Sequence, residues 1–175
     1  VLALVLRARG RYEQALAEER AVYEGLRRVL GEENPNTLLA RQALAVLRHD
    51  CGQREQGHAE LQTVYAAWQR ELGAEHPDTL AARHDLARVL HAGGEHGAAQ
   101  AHLDAVYDVR RRVLGDEHPD TLAARHDLAR VWHDGGQRER AHADLQAVYG
   151  IRRRVLGSDH PDTVATRRWL RENPR

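Results

Sequence analysis

Apolar residues recur along the chain at helical spacing, three and four apart, and the polar residues between them fall on the opposite face. In the stretch around residue 85, Leu80, Leu86, Ala87 and Leu90 share one side of a helix. Further on, Ala99, Leu103, Val106, Val113 and Leu114 do the same. The pattern predicts one helix over Asp78–Ala92, stopped by Gly93-Gly94, and a second over Glu95–Leu114, stopped by Gly115. His76 precedes a proline and is pushed out of the helical region, so it falls at the N-cap with Pro77 in the first helical position. Asp78 then meets the positive end of the helix dipole.

This helix pair is repeated. Pro35, Pro77, Pro119 and Pro161 stand 42 residues apart, within GEENPNTL, GAEHPDTL, GDEHPDTL and GSDHPDTV. Aligning 73–114 with 115–156 gives 30 identities in 42 positions. Tyr23, Tyr65, Tyr107 and Tyr149 fall in register, as do Leu2, Leu44, Leu86, Leu128 and Leu170. A single pair cannot bury its own apolar stripe, but stacked pairs can, which predicts an all-α solenoid. The units expected are a partial one over 1–30, full ones over 31–72, 73–114 and 115–156, and a closing helix over 157–175. All belong to one array over 1–175.

The spacing Leu86-Ala87-x-x-Leu90, Gly94, Ala99, Leu103 resembles a tetratricopeptide repeat: large, small, large, glycine, small, large. The 42-residue period with LGxEHPDTL between units is similar to the longer kinesin-light-chain subtype, of the kind attached to bacterial, especially actinobacterial, signalling proteins. HEAT repeats share the period without the alanine-glycine-alanine spacing or the proline-led first helix. The resemblance implies a right-handed superhelix of stacked antiparallel pairs, with the first helices lining a concave groove. It further implies a non-catalytic scaffold that binds a protein or peptide there, as part of a larger regulatory protein.

The positions that the resemblance turns inward are Gln42, Ala43, Val46 and His49 in one unit, and His84, Asp85, Arg88 and His91 in the next. The following unit supplies His126, Asp127, Arg130 and His133, and the closing helix Arg168 and Trp169, the last a candidate aromatic anchor. Such a groove is polar, and it lacks the lysine-asparagine clamp of chaperone-binding relatives. Other recurrent residues read as structural. Arg41, Arg83, Arg125 and Arg167 are expected to pair with acids of the adjacent unit. His76, His118 and His160 read as caps, the tyrosines as inter-unit packing with a wet hydroxyl, and Trp132 as core.

Composition narrows the function classes. The 26 basic residues, all arginine, balance 26 acids, which removes the electrostatic footprint of a nucleic-acid binder. Arg110–112 and Arg152–154 lie beside acids at helix ends, with little aromatic interleaving. No apolar run approaches the ~20 residues of a membrane span. The one cysteine, Cys51, rules out an internal disulfide and fits a reducing cytoplasm. It replaces the first glycine of the Gly-Gly turn, and beside His49 it lacks the pocket and orienting group of a nucleophile. There is no phosphate loop, no nucleophile elbow, and no serine besides Ser158, so no enzyme activity and no cofactor are expected. Twelve histidines raise the question of metal. His84 and His91 are seven apart, ~10 Å along a helix, and equivalent histidines of adjacent units a helix-packing distance of about 8–10 Å apart. Neither spacing suits zinc, whose ligand nitrogens sit at ~2 Å. Instead, imidazoles that charge below about pH 6.5 would make the groove more cationic in acid. Val1 aligns with Asp85, so the sequence is expected to start within a first helix, as a segment of a larger protein. The apolar Val1–Leu6 strip is expected to meet upstream sequence or another copy of the chain, making a homo-oligomer through that end.

Overall fold

The computed structural model describes residues 10–174. Among them are eight helices: α1 (Tyr12–Leu30), α2 (Pro35–Asp50), α3 (Arg54–Leu72), α4 (Pro77–Ala92), α5 (His96–Leu114), α6 (Pro119–Asp134), α7 (Arg138–Val155) and α8 (Pro161–Glu172). No described residue lies in a strand. The expected helices over 78–92 and 95–114 are α4 and α5 to within a residue at each end. The apolar strip Val1–Leu6 and its expected contacts, with Leu2 of the leucine register, lie outside the described residues.

The proline-led starts work as the sequence suggests. His76 Nδ1 accepts the backbone N–H of Asp78 at 3.2 Å, His118 that of Asp120 at 3.1 Å, and His160 that of Asp162 at 3.2 Å. Asn34 Oδ1 does the same for Asn36 at 3.0 Å. A backbone N–H can only donate, so Nδ1 is the lone-pair nitrogen in each histidine cap. The two-residue turn after a first helix explains Cys51. In that turn Cys51 (φ −81°) and Gly135 (φ −78°) share an ordinary conformation, whereas the next residue, Gly52 or Gly136, takes φ near +90°. Only the second position therefore needs glycine.

The chain forms two compact units, Val1–Val89 and Leu90–Arg175, divided within α4. In the first, α1 packs on α2 and α2 on α3. Leu38, Val64, Ala67, Trp68 and Ala82 make one core cluster with Tyr65 against it, and Ala15 and Leu47 make another with Leu16 and Cys51. Gly57 of α3 sits so close to α2 that a Cβ there would lie 2.7 Å from the Ala45 carbonyl oxygen. In the second unit, α5 packs on α6, α6 on α7 and α7 on α8. Its core holds Leu103, Val106, Leu122, Leu128, Val131, Leu145 and Val148. Trp132 is buried, as expected for core, with the Arg140 guanidinium 3.6 Å from its ring centroid.

Two expectations are corrected. Val113 and Leu114 are 61% and 43% exposed, not part of the buried stripe. That stripe runs Ala99, Leu103, Val106 and closes on Arg110, which donates to the Asp120 carbonyl at 3.1 Å, leaving the last turn of α5 outside. Arg152, one repeat later, is likewise buried and donates to the Asp162 carbonyl (3.2 Å) and Thr166 Oγ1 (2.8 Å). Burial holds the Arg152 guanidinium below its ordinary value. The second correction concerns Arg125, which grips Asp144 of its own unit's second helix, at 2.5 to 3.0 Å, and not an acid of the adjacent unit. Its position on α6 faces α7, the helix that follows directly. Arg83 lies over the Tyr65 ring, 5.9 Å from the centroid.

Candidate functional site

The faces expected to line a groove belong to α2, α4, α6 and α8, and their side chains are tied to one another. Within the first unit, Gln42 on α2 is buried and donates through Nε2 to Asp85 Oδ2 on α4 at 2.7 Å. Arg88, one turn on, stands 3.4 Å from the other oxygen of Asp85. Val46 and His84 are half-buried, Ala43 is exposed, and His49 lies 3.7 Å from Asp50.

In the second unit, His91 Nε2 at the end of α4 meets Asp134 Oδ2 at the end of α6, 2.7 Å away. His133 Nδ1 meets the other oxygen of Asp134 at 2.9 Å. Burial would raise the Asp134 carboxyl, but the hydrogen bonds from His133 and His91 outweigh it and hold the group below the ordinary carboxylate value. His133 also stands edge-on to Trp169 of α8, ring centroids 5.0 Å apart. Trp169 is therefore half-buried against a histidine and not a fully exposed anchor. On α6, Asp127 lies 3.3 Å from His126 Nδ1 and 3.7 Å from Arg130. Arg168 pairs with Glu172 at 2.8 Å on its own helix.

The electrostatic layering is uneven. Asp85, Asp127 and the imidazoles of His49, His91, His126 and His133 are recessed, whereas the Arg88, Arg130 and Asp134 side chains are 46%, 43% and 47% exposed. Four polar atoms on these faces, Gln42 Oε1, His49 Nε2, His126 Nε2 and Arg130 Nε, are buried with no hydrogen-bond partner. Such atoms are costly, so the faces hold polar capacity that their own contacts do not use. Asp134 was missed as a member of this group. The only signal for it in the sequence is that Asp134 follows His133 as Asp50 follows His49, while Ala92 interrupts the series. Among the described residues no group of three His, Cys, Asp or Glu side chains has the geometry to hold a metal ion, and no helix is long and apolar enough to cross a membrane.

Helix pairs repeated every 42 residues and led by proline, with no strand among the described residues, define an all-α helical-repeat protein. The profile described as tetratricopeptide repeat matches residues 1–36, 79–120 and 121–162, and the chain belongs to that family. Two crystal structures of nearly identical TPR-like repeats of kinesin-light-chain type from Podosopora anserina are 31% identical to it. They align over 98% of this chain and 81% and 82% of theirs, with a TM-score of 0.78. The crystal structure of BtubC (BKLC) from P. vanneervenii shares the fold at 15% identity, TM-score 0.76, over 94% of this chain and 66% of that one. No curated protein matches. Repeats of this family generally mediate protein–protein interaction and are typically non-catalytic.

Proposed function

We propose that this chain is a non-catalytic interaction scaffold, with the repeats at 31–72, 73–114 and 115–156 as its units, that holds an acidic peptide or partner surface against its first helices. The observation that carries the reading is that each unit sets an exposed guanidinium beside a recessed carboxylate, Arg88 by Asp85 in the first and Arg130 by Asp127 in the second. A face of that kind offers charge-assisted donors outward and keeps its own acids engaged, so it favours a ligand bearing carboxylates. Gln42, Val46, His49, His84 and Asp85 complete the face in the first unit, and His91, His126, Asp127, His133, Arg168 and Trp169 that in the second. They contribute shape and hydrogen bonding more than charge. In the cell the module serves as the cytoplasmic binding part of a larger bacterial regulator, a reading supported by the composition and the repeat subtype.

The test is a variant with His84, Arg88, His126 and Arg130 all changed to alanine, its helicity checked by circular dichroism. A Glu-rich peptide binding wild type should lose at least tenfold in affinity, about 1.4 kcal/mol, and unchanged affinity would refute the reading.

A further inference from the structure

Arg88 and Arg130 each have an acid of their own helix three residues back, yet neither is closely paired. Arg88 Nη1 stands 3.4 Å from Asp85 Oδ1 on α4, and Arg130 Nη1 stands 3.7 Å from Asp127 Oδ1 on α6. Other arginine–acid pairs within one helix close tightly. Arg20 and Glu24 on α1 meet at 2.8 Å, as do Arg168 and Glu172 on α8. Side chains three or four apart on a helix are neighbours, so spacing alone does not keep Asp85 from Arg88. The difference is a competing donor. Gln42 of α2 donates from Nε2 to Asp85 Oδ2 at 2.7 Å, reaching across from the neighbouring first helix of the same unit. On α6 the His126 imidazole approaches Asp127 Oδ1 at 3.3 Å. Glu24 and Glu172 have no second donor among the described residues.

We propose that Gln42 is a positioning residue for the binding face of the first unit: it draws the Asp85 carboxylate back toward α2 and so keeps the Arg88 guanidinium available to a ligand acid. This role rests on the reading of Arg88 as a ligand contact. Gln42 is buried and its Oε1 has no partner, so the amide is held by its one bond to Asp85. Turning the amide over would set Oε1 against a carboxylate oxygen, and the donor therefore faces Asp85. A carboxylate that already accepts a short hydrogen bond has one oxygen fixed and part of its charge satisfied. Its other oxygen then makes only the long contact with Arg88, whose side chain makes no other hydrogen bond or ion pair among the described residues. Without the amide, the carboxylate is free to turn onto the guanidinium and close a tight pair, as Glu24 does on Arg20. A ligand acid would have to displace that pair before it could bind.

The test is the anisotropy of a fluorescein-labelled oligoglutamate peptide titrated with the full chain and its variants, each checked by circular dichroism for unchanged helicity. Gln42→Met keeps the length of the side chain and removes the donor, and it should weaken binding about threefold or more. Gln42→Leu should do the same, which guards against a fault particular to one substitution. Asp85→Asn removes the competing charge and should strengthen binding. In the Asp85→Asn chain, adding Gln42→Met should change nothing, because no carboxylate is left to hold back. A Gln42 that merely supports the fold would instead lose affinity equally with either residue at 85. Arg88→Ala should weaken binding and make Gln42→Met silent. Loss in Arg88→Ala with wild-type affinity in Gln42→Met, or an undiminished Gln42→Met loss in the Asp85→Asn chain, overturns this inference alone. Absence of saturable binding, or unchanged affinity in Arg88→Ala, overturns the reading beneath it as well.

Discussion

At the scale of single residues, the histidines do two separable jobs. His76, His118 and His160 are acceptors that close helix starts, a role Asn34 fills in the first full repeat. His118→Ala should therefore cost about 1 kcal/mol in a urea melt and His118→Asn almost nothing, in keeping with typical cap substitutions; equal losses would contradict the cap. His91 and His133 instead hold the Asp134 carboxylate. A carboxyl depressed in the folded state stabilises above its unfolded value and loses that contribution as pH falls through the folded one. Asp134 is half exposed, so Asp134→Ala should cost no more than about 0.5–1 kcal/mol at pH 7 after solvent screening. That difference should shrink as pH falls below the ordinary aspartate value and through the lower folded one, and urea midpoints of both proteins on the acid side would show it. The caps were legible from the sequence because proline fixes the position before it. Asp134 was not, because its partner His91 lies 43 residues away on another helix.

Among the helices, departures from the repeat report on packing. Gly57 occupies the place of Ala15, Ala99 and Ala141. An alanine there would gain up to about 1 kcal/mol in helix propensity but would drive a methyl within 2.7 Å of the Ala45 oxygen. Overpacking of that kind costs about 1–3 kcal/mol, so Gly57→Ala should lower the melting temperature. Gly150→Ala, with nothing within 4 Å, should raise it. The arginine triplets are equally uneven. Arg152→Ala removes bonds to Asp162 and Thr166 and should destabilise by about 2–3 kcal/mol, whereas Arg153→Ala, at an exposed position, should change stability by less than about 0.5 kcal/mol. A run of three arginines at a helix end looks solvated, and the sequence reading left all three outside. The signal it held was Trp68, a large apolar residue in the same register as Arg110 and Arg152. The pairing of Arg125 was misread for a related reason. Periodicity places it on a helix face, but which helix covers that face is a fact of packing.

For the molecule as a whole, the 42-residue proline register carried the fold, since four-fold repetition of helix signals leaves one helix pair per period. The family match over 1–36, 79–120 and 121–162 skips the stretch that holds Cys51, Gly57 and Trp68, three of the positions where the first full repeat departs from the others. Function was legible only as a class, because groove residues set the chemistry of a ligand and not its identity. Site-specific photo-crosslinking tests the central claim most directly: benzoylphenylalanine placed at Arg88 or Arg130 on the first helices, and at Val113 on the exposed end of α5 as reference, with a Glu-rich peptide as ligand. The account predicts saturable crosslinks from 88 and 130 that fall as salt rises, with background levels from 113. Crosslinks from 113 alone would contradict it.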